Sequence, residues 1–343
     1  MDSSLKIATM NCRGLGNFQK RRDVFHFLRE KKYSFYFLQD THFHPSMESR
    51  IKAEWGYEVF FSSYTTNSRG VAILVNNNVE CKVISTHRDT QGNSLMVRMK
   101  MFDKEFLLVN LYGPNNDCPE FYDNLEQMIR NVGLVDHVIM GGDYNLVMNF
   151  DLDCFNYQRR NNLHASERVS EMVQNLNLLD IFRELYPDVK RFTWRRTNPL
   201  KQSRLDFFLI SDIICPYVTD VKTLPGYRSD HSMVVVEFQF TPEEKRNTFW
   251  KFNSSLLHDP LYIEEVNKII LDTLKDYAAY PYNFDNIETI LPEDIHLTIS
   301  DQLFLDVLLM AIRSKTISFS KWKNYNNKLQ EMEIEKKNYR FRK

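Results

Sequence analysis

The residues best suited to chemistry lie at positions 140–145, with the sequence Met-Gly-Gly-Asp-Tyr-Asn. An apolar run at residues 138–140 leads into them and predicts a short buried strand. Asp143 and Asn145 are two positions apart, so in an extended chain their side chains point the same way. A carboxylate beside an amide at a strand end can position a water and a phosphate, or hold a metal ion. A glycine turn with a solvated acid is the alternative interpretation.

Similar polar residues lie at or near the ends of most of the other predicted strands: Asn11, Asp40, Tyr112, Asp206, and the neighbours Asp230 and His231. If these strand ends converge on one rim, they form a pocket rich in carboxylates. Mg²⁺ would relieve their repulsion, and it typically takes one or two carboxylates together with water and substrate phosphate. The histidine could stabilise a phosphate oxygen while an acid holds its other ring nitrogen. Because Asp206 lies among apolar residues, where an unpaired charge is costly, His231 is its simplest partner.

The hydrophobic pattern predicts the elements that must position these residues. It predicts strands at residues 6–11, 34–38, 58–62, 70–75, 79–85, 95–101, 106–111, 137–140, 191–196, 204–210 and 233–240. It predicts helices at residues 21–30, 47–55, 121–132 and 169–179. Short turns link many successive strands, which argues against a doubly wound parallel sheet. We therefore predict an α/β fold, a four-layer α/β sandwich in which two mixed β-sheets pack face to face with helices outside.

The sequence changes character after Phe240. A polar break at residues 241–245 is followed by helical patterns at residues 262–277 and 300–315 and then by a basic tail from Lys315. We predict a first domain at residues 1–240 and a C-terminal helical extension at residues 241–343. The tail is predicted to be a solvated or partner-seeking helix.

Composition excludes several classes of protein. The five cysteines are scattered without a Cys-x-x-Cys pair, so neither a zinc site nor a disulfide framework is predicted. No secretory signal and no run long enough to span a bilayer is visible, so we expect a nuclear or cytoplasmic protein without a membrane partner. The net charge of −1 neither indicates nor excludes nucleic acid as a partner.

The polar strand ends fall into six motifs that resemble, in order, those of the endonuclease/exonuclease/phosphatase superfamily. They are Asn11, residues 39–42 (Gln-Asp-Thr-His, similar to Gln-Glu-Thr-His), residues 110–115 (Asn-Leu-Tyr-Gly-Pro-Asn), residues 142–145 (Gly-Asp-Tyr-Asn, similar to Gly-Asp-Phe-Asn), residues 204–207 (Arg-Leu-Asp-Phe) and residues 229–231 (Ser-Asp-His). The resemblance covers roughly residues 5–240. Within the superfamily, the chain most resembles the endonuclease of LINE-type retrotransposons. There a reverse transcriptase domain is expected downstream, but its Tyr/Phe-x-Asp-Asp motif does not occur in this sequence.

The resemblance implies a Mg²⁺-dependent phosphodiesterase, with Mn²⁺ as an alternative metal, that nicks one DNA strand and leaves a 3′-hydroxyl and a 5′-phosphate. The metal ligands it implies are Asp40, Asn11 and Asp230. The catalytic residues it implies are Asp143 on the attacking water, Asn145 and Tyr112 on phosphate oxygens, and His231, oriented by Asp206, on the pentacovalent phosphorane. The DNA contacts it suggests are Thr193, Arg195, Arg196, Arg204 and Ser229, with the hairpin at residues 195–204 reading groove shape.

One position departs from the family pattern. The metal-binding acid is normally glutamate, and Asp40 is one methylene shorter. The alternative activities are an abasic-site endonuclease or exonuclease III-type repair nuclease, and a lipid or inositol phosphatase. From another class, the chain could be an inactive nucleic-acid-binding remnant of a retrotransposon.

Overall fold

The computed structural model describes residues 4–240, 252, 254–280 and 295–341. The strands are β1 (Ser4–Asn11), β2 (Phe35–Gln39), β3 (Val59–Ser62), β4 (Val71–Val75), β5 (Lys82–Arg88), β6 (Ser94–Met101), β7 (Lys104–Tyr112), β8 (His137–Asp143), β9 (Cys154–Phe155), β10 (Leu178–Asp180), β11 (Trp194–Thr197), β12 (Leu200–Ser203), β13 (Asp206–Ser211), β14 (Val218–Leu224) and β15 (Met233–Gln239). The α-helices are α1 (Phe18–Lys31), α2 (Glu48–Trp55), α3 (Pro119–Asn131), α4 (Phe150–Asp153), α5 (Leu163–Asn175), α6 (Ile181–Leu185), α7 (Pro260–Tyr277) and α8 (Asp301–Phe341).

Twelve of the strands build two six-stranded sheets of similar plan. The first has the order β14-β15-β1-β2-β4-β3, and the second has the order β10-β13-β8-β7-β6-β5. The central pair of each sheet, β1–β2 or β7–β8, is parallel, and all other neighbours are antiparallel. The sheets are therefore mixed, as predicted.

The alternation of side chains along each strand separates the layers. In the first sheet, Ile7 and Phe37 face the interior between the sheets, where they join Leu108 and Ile139 of the second sheet. Neighbouring residues such as Ala8 and Leu38 face outward, against apolar residues of α1 and α2. The outer face of the second sheet packs against α3 and α5 in the same way. The prediction of a four-layer α/β sandwich is confirmed.

Several local predictions were wrong. The strands predicted at residues 191–196 and 204–210 leave residues 197–203 outside any strand, but β12 occupies part of that segment and pairs with both β11 and β9 in a three-stranded sheet. The helix predicted at residues 169–179 ends at Asn175, and β10 follows it. The strand predicted to end at Met140 continues to Asp143 as β8, so the two glycines lie inside a strand. Gly142 allows the backbone of β7 to lie close to β8, since a Cβ at this position would be 2.0 Å from the carbonyl oxygen of Leu111.

The chain divides into two compact units, Met1–Pro242 and Glu243–Lys343. In the second unit, α7 and α8 run antiparallel, because Asp259 pairs with Lys323 at one end while Tyr277 contacts Phe304 at the other. Between these ends, the hydroxyl groups of Tyr262 and Thr316 lie 2.6 Å apart. Within the described residues, no helix combines the length and apolar character needed to cross a membrane.

Candidate active site

The topology brings the polar strand ends to one edge of the sandwich. The parallel pairs β1–β2 and β7–β8 end at this edge, with Asn11 on β1 and with Tyr112 opposite Asp143 on β7 and β8. Because β13 runs antiparallel to β8, its first residue, Asp206, lies opposite Asp143. In the same way, β15 runs antiparallel to β1, so His231, which precedes β15, lies near Asn11.

A cleft of about 360 Å³ opens at this edge. Seven of the residues singled out from sequence line it, namely Asn11, Asp40, Tyr112, Asp143, Asn145, Asp230 and His231. Asp206 is buried and reaches the cleft through its contact with His231.

Both oxygens of the buried Asp143 carboxylate are held by amide donors. The side chain of Asn11 donates to Oδ2 at 2.8 Å, and the backbone N–H of Asn145 donates to Oδ1 at 2.9 Å. Burial, and then the nearby charge of Asp206, raise the pKa of Asp143 to about 7, against the opposing effects of His231 and these hydrogen bonds. The acid therefore exchanges a proton near neutral pH.

Asn145 does not reach the cleft in the way its spacing suggested. β8 ends at Asp143, and Asn145 has a left-handed backbone with φ of +53°. Its side-chain amide donates to the Gly113 carbonyl at 2.7 Å, and its own carbonyl accepts from the Asn162 side chain at 2.8 Å. The amide lines the cleft because these bonds hold it there, not because of strand alternation.

His231 lies between two carboxylates. Its Nδ1 is 2.9 Å from Asp206 Oδ2, and its Nε2 is 3.8 Å from Asp143 Oδ2. Burial alone would lower the pKa of His231, but Asp206 and Asp143 outweigh it and raise the pKa to about 9. Within the described residues, Asp206 Oδ1 is buried without a hydrogen-bond partner, so His231 carries the main compensation for this charge.

Asp40 is held in an uncommon backbone conformation, with φ of +49°. Its Oδ1 lies 3.0 Å from His42 Nε2 and accepts from the Arg69 backbone N–H at 3.2 Å. Both of its side-chain hydrogen bonds to described residues end on Oδ1, which leaves Oδ2 for a cation.

Neighbouring residues tie the remaining candidates together. The hydroxyl of Ser229 donates to the Asn11 carbonyl at 2.7 Å and accepts from the His231 N–H at 3.1 Å. Asp230 Oδ2 is 3.3 Å from an Arg13 guanidinium nitrogen. Burial, followed by the charges of Asp40 and Asp143, raises the pKa of Tyr112, so its phenol stays a hydrogen-bond donor.

The structure offers two positions for a metal ion. Asp40, Asn11 and Asp230 share the cleft. Alternatively, Asp143, Asp206 and His231 each offer an atom within 4.8 Å of the others. We favour the first, because it contains Asp40 Oδ2, which has no hydrogen bond to a described residue, whereas in the second group the facing atoms bond Asn11 or one another.

The proposed DNA contacts divide into exposed and internal residues. Arg195 and Arg196 are exposed on β11. Arg204 is only 2% exposed, with Nε 2.8 Å from Asp153 and Nη2 2.5 Å from Asp180, so it cannot reach DNA and that expectation is corrected. The buried Thr193 hydroxyl instead accepts from the N–H groups of Leu205 and Asp206, at 2.9 and 3.0 Å, which anchors the start of β13.

Sequence reasoning missed the wall of the cleft contributed by the segment between β9 and α5. Tyr157, Asn161 and Asn162 line it there. Ser203 donates to the Tyr157 hydroxyl at 2.9 Å, which ties this wall to the hairpin of β11 and β12. The adjacent asparagines predict a helix start, as Asn162 precedes α5, but nothing local indicates that they face the cleft.

The sequence has relatives among known proteins. The model of the Endonuclease/Exonuclease/phosphatase family matches residues 8–231. A Xenopus laevis protein described as "Transposon TX1 uncharacterized 149 kDa protein" is 30% identical over 286 residues. That match covers 82% of this chain and 21% of the Xenopus protein, so the chain spans about a fifth of this relative's length.

Solved structures share the fold. The AP endonuclease LMAP from Leishmania major has a TM-score of 0.59 at 19% identity, covering 70% of this chain and 89% of that one. An AP endonuclease from Archaeoglobus fulgidus has a TM-score of 0.54 at 20% identity, covering 68% and 99%. The 3′ phosphatase NExo from Neisseria, bound to a product DNA hairpin, has a TM-score of 0.54 at 19% identity, covering 69% and 100%.

Proposed function

The chain belongs to the endonuclease/exonuclease/phosphatase family, and from this premise we propose that it is a Mg²⁺-dependent DNA endonuclease that nicks one strand. The products are a 3′-hydroxyl and a 5′-phosphate. The observation that carries the proposal is the buried Asp206–His231 pair, whose free Nε2 lies 3.8 Å from the amide-held carboxylate of Asp143. Asp143 and His231 therefore face each other as a candidate base and a candidate acid.

Asp143 accepts the proton of the attacking water in this mechanism. With a pKa of about 7 it is half ionised near neutral pH, which suits a general base. The donors Asn11 and the backbone of Asn145 fix both carboxylate oxygens. The base therefore needs little rearrangement to receive the proton.

His231 stabilises the negative charge of the pentacovalent phosphorane. Its raised pKa keeps the imidazolium form, and Asp206 holds Nδ1 so that Nε2 is the atom free to donate. Tyr112 and Asn145 line the same cleft and donate to phosphate oxygens. Uncharged donors are sufficient there because His231 supplies the positive charge.

Asp40, Asn11 and Asp230 would hold the metal ion, Mg²⁺ or in its place Mn²⁺. When bound, the ion neutralises charge on the phosphate and on the departing 3′ oxygen. The available Oδ2 of Asp40 supports this assignment, since hard cations prefer carboxylate and amide oxygens.

DNA as substrate is supported by two kinds of relative. The transposon-encoded Xenopus protein supports nicking at an insertion site, and the Neisseria enzyme that shares the fold is described with a DNA hairpin product. The two AP endonucleases that share the fold favour cleavage beside abasic sites as the second candidate.

Supercoiled plasmid with Mg²⁺ tests the proposal. We expect conversion to nicked circles, and a loss of about 10²- to 10⁴-fold in rate for His231→Ala or Asp143→Ala. Nicking by either variant at the wild-type rate would contradict the mechanism. Preference for plasmid carrying abasic sites would favour the second candidate, and DNA binding without nicking would favour an inactive remnant.

A further inference from the structure

The cleft continues into two further cavities, of about 470 and 370 Å³. The first shares Arg13, Asp40, Tyr112 and Asn115 with the cleft. The second shares Arg69, Asn93, Pro114 and Asn116 with the first. We call these two cavities the side groove. The residues of the β11–β12 hairpin line neither cavity, so the groove extends on the Asp40 side of the cleft.

Six neutral amide side chains line the side groove, those of Asn67, Gln91, Asn93, Asn115, Asn116 and Asn124. Three acids also line it, the candidate metal ligand Asp40, Asp89 and the exposed Glu120. Asp89 is engaged internally, because it accepts from the Asn93 and Ser94 N–H groups and from the Ser62 hydroxyl, the closest at 2.9 Å. Amide donors of this kind bind phosphate and sugar oxygens without reading sequence.

Arg69 is the cation shared by both cavities of the groove. Its guanidinium lies 5.3 Å from the ring centroid of the exposed Tyr64, and its Nη1 donates to Gln91 at 2.9 Å. Its backbone N–H bonds Asp40, so the residue is fixed beside the candidate metal ligand. A stacked guanidinium loses little freedom on binding and matches the geometry of a phosphate.

We propose that the side groove binds the sugar–phosphate backbone of the cleaved DNA strand on one side of the scissile phosphate, with Arg69 contacting a phosphate. The inference rests on the proposed function, because the strand enters the groove from the cleft. Continuity with the cleft, the fixed guanidinium of Arg69 and the six amide side chains favour this occupant. The side groove thus binds the DNA on one side of the scissile phosphate. The exposed arginines of β11, Arg195 and Arg196, are then available to bind the DNA on the other side.

The test measures binding of the full-length protein to a duplex spanning a mapped nick site, without divalent metal, over a range of salt concentrations. We expect Arg69→Ala to weaken binding and to reduce the slope of log affinity against log salt by about 1. Arg88→Ala is the matched control, since Arg88 is exposed on β5 outside all three cavities and should leave the slope unchanged. Asn116→Asp, which adds a negative charge to the groove without altering Arg69, should weaken binding as well.

Truncated duplexes locate the contact. Shortening one flank should weaken binding of the wild type but not of Arg69→Ala, whereas shortening the other flank should affect both proteins equally. Equal losses in both proteins on both flanks would overturn the inference, while leaving wild-type nicking and the proposed function intact. A wild-type protein that binds no DNA would instead overturn the proposed function and the inference with it.

Discussion

His231 occupies a position in which its charge is set by its neighbours on both sides. Asp206 contacts Nδ1 at 2.9 Å, and Asp143 lies 3.8 Å from Nε2. All three side chains are buried, so solvent screens these charges weakly. Each carboxylate raises the pKa of the imidazole, while Asp206 also raises the pKa of Asp143. The charge of Asp206 therefore acts on both Asp143 and His231.

Removal of that charge should move both titrations in the same direction. In the metal-free protein we expect His231 to titrate near pH 9 and Asp143 near pH 7. Asp206→Asn should lower both pKa values, since it removes an attraction for the imidazolium and a repulsion for the carboxylate. NMR titration of the two side chains measures this, with Asp103→Asn, at an exposed site, as the control. An unchanged His231 pKa in Asp206→Asn would show that the pairing is not electrostatic.

The orientation of Asp40 depends on His42. The His42 ring is confined, since a Cβ on Gly14 would lie 2.8 Å from its Nδ1, and its Nε2 contacts Asp40 Oδ1. We expect His42→Ala to free the carboxylate and to weaken Mg²⁺ or Mn²⁺ binding, measured by calorimetry. His44→Ala is the matched control, because the exposed His44 bonds only locally to Ser46. Equal metal affinities in the two variants would count against a positioning role for His42.

Candidate site residues were predictable from the sequence where a polar residue lay at or next to a strand end, as at Asn11, Asp143 and His231. Roles that depend on distant partners were not. Arg204 was expected to contact DNA, but its carboxylate partners lie 51 and 24 positions away, at Asp153 and Asp180. Charge alone cannot distinguish a surface arginine from one that is buried and paired.

At the scale of elements, a buried ion cluster fixes the base of the β11–β12 hairpin. Arg204, directly after β12, bonds Asp153 at the end of α4 and Asp180 at the end of β10. Arg183 of α6 also pairs with Asp153. The cluster thus joins the hairpin to α4, to α6 and, through β10, to the second sheet.

Loss of the central cation should destabilise this region strongly. We expect Arg204→Met to cost about 3–5 kcal/mol of unfolding free energy, because it leaves buried carboxylates without their partner. Denaturant unfolding measures the loss. Arg88→Met, at an exposed arginine on β5, serves as the control and should change stability little. A loss no larger than that of the control would mean that the cluster is solvated.

Elements with a strong apolar pattern were predictable, and the short ones were not. The predicted strands at residues 95–101 and 106–111 correspond to β6 and β7, most of whose residues are buried on both faces of the sheet. The half-exposed β12 lacks such a pattern and depends on pairing with β9, which lies about 47 positions earlier in the chain. Local sequence cannot reveal a partner at that distance.

At the scale of the whole molecule, the Met1–Pro242 unit has its own continuous core between the sheets. We expect a fragment of residues 1–242 to unfold cooperatively and to retain nicking activity. A fragment of residues 1–231 is the matched comparison, since it keeps every candidate catalytic residue but lacks β15, which pairs with β1 and β14. Thermal unfolding and plasmid nicking compare the two. An inactive 1–242 fragment would assign part of the activity to the second unit.

The placement of β15 beside β1 also controls when the site can first exist. Ser229 bonds the carbonyl of Asn11 from 218 positions further along the chain. A ribosome adds roughly 5–20 residues per second, so a nascent chain exposes Asn11 on the order of ten seconds or more before His231 is made. Until then the candidate site is incomplete. Because β15 is the last strand of the sandwich and pairs with β1, we expect the site to assemble only after almost the whole sandwich has been synthesised.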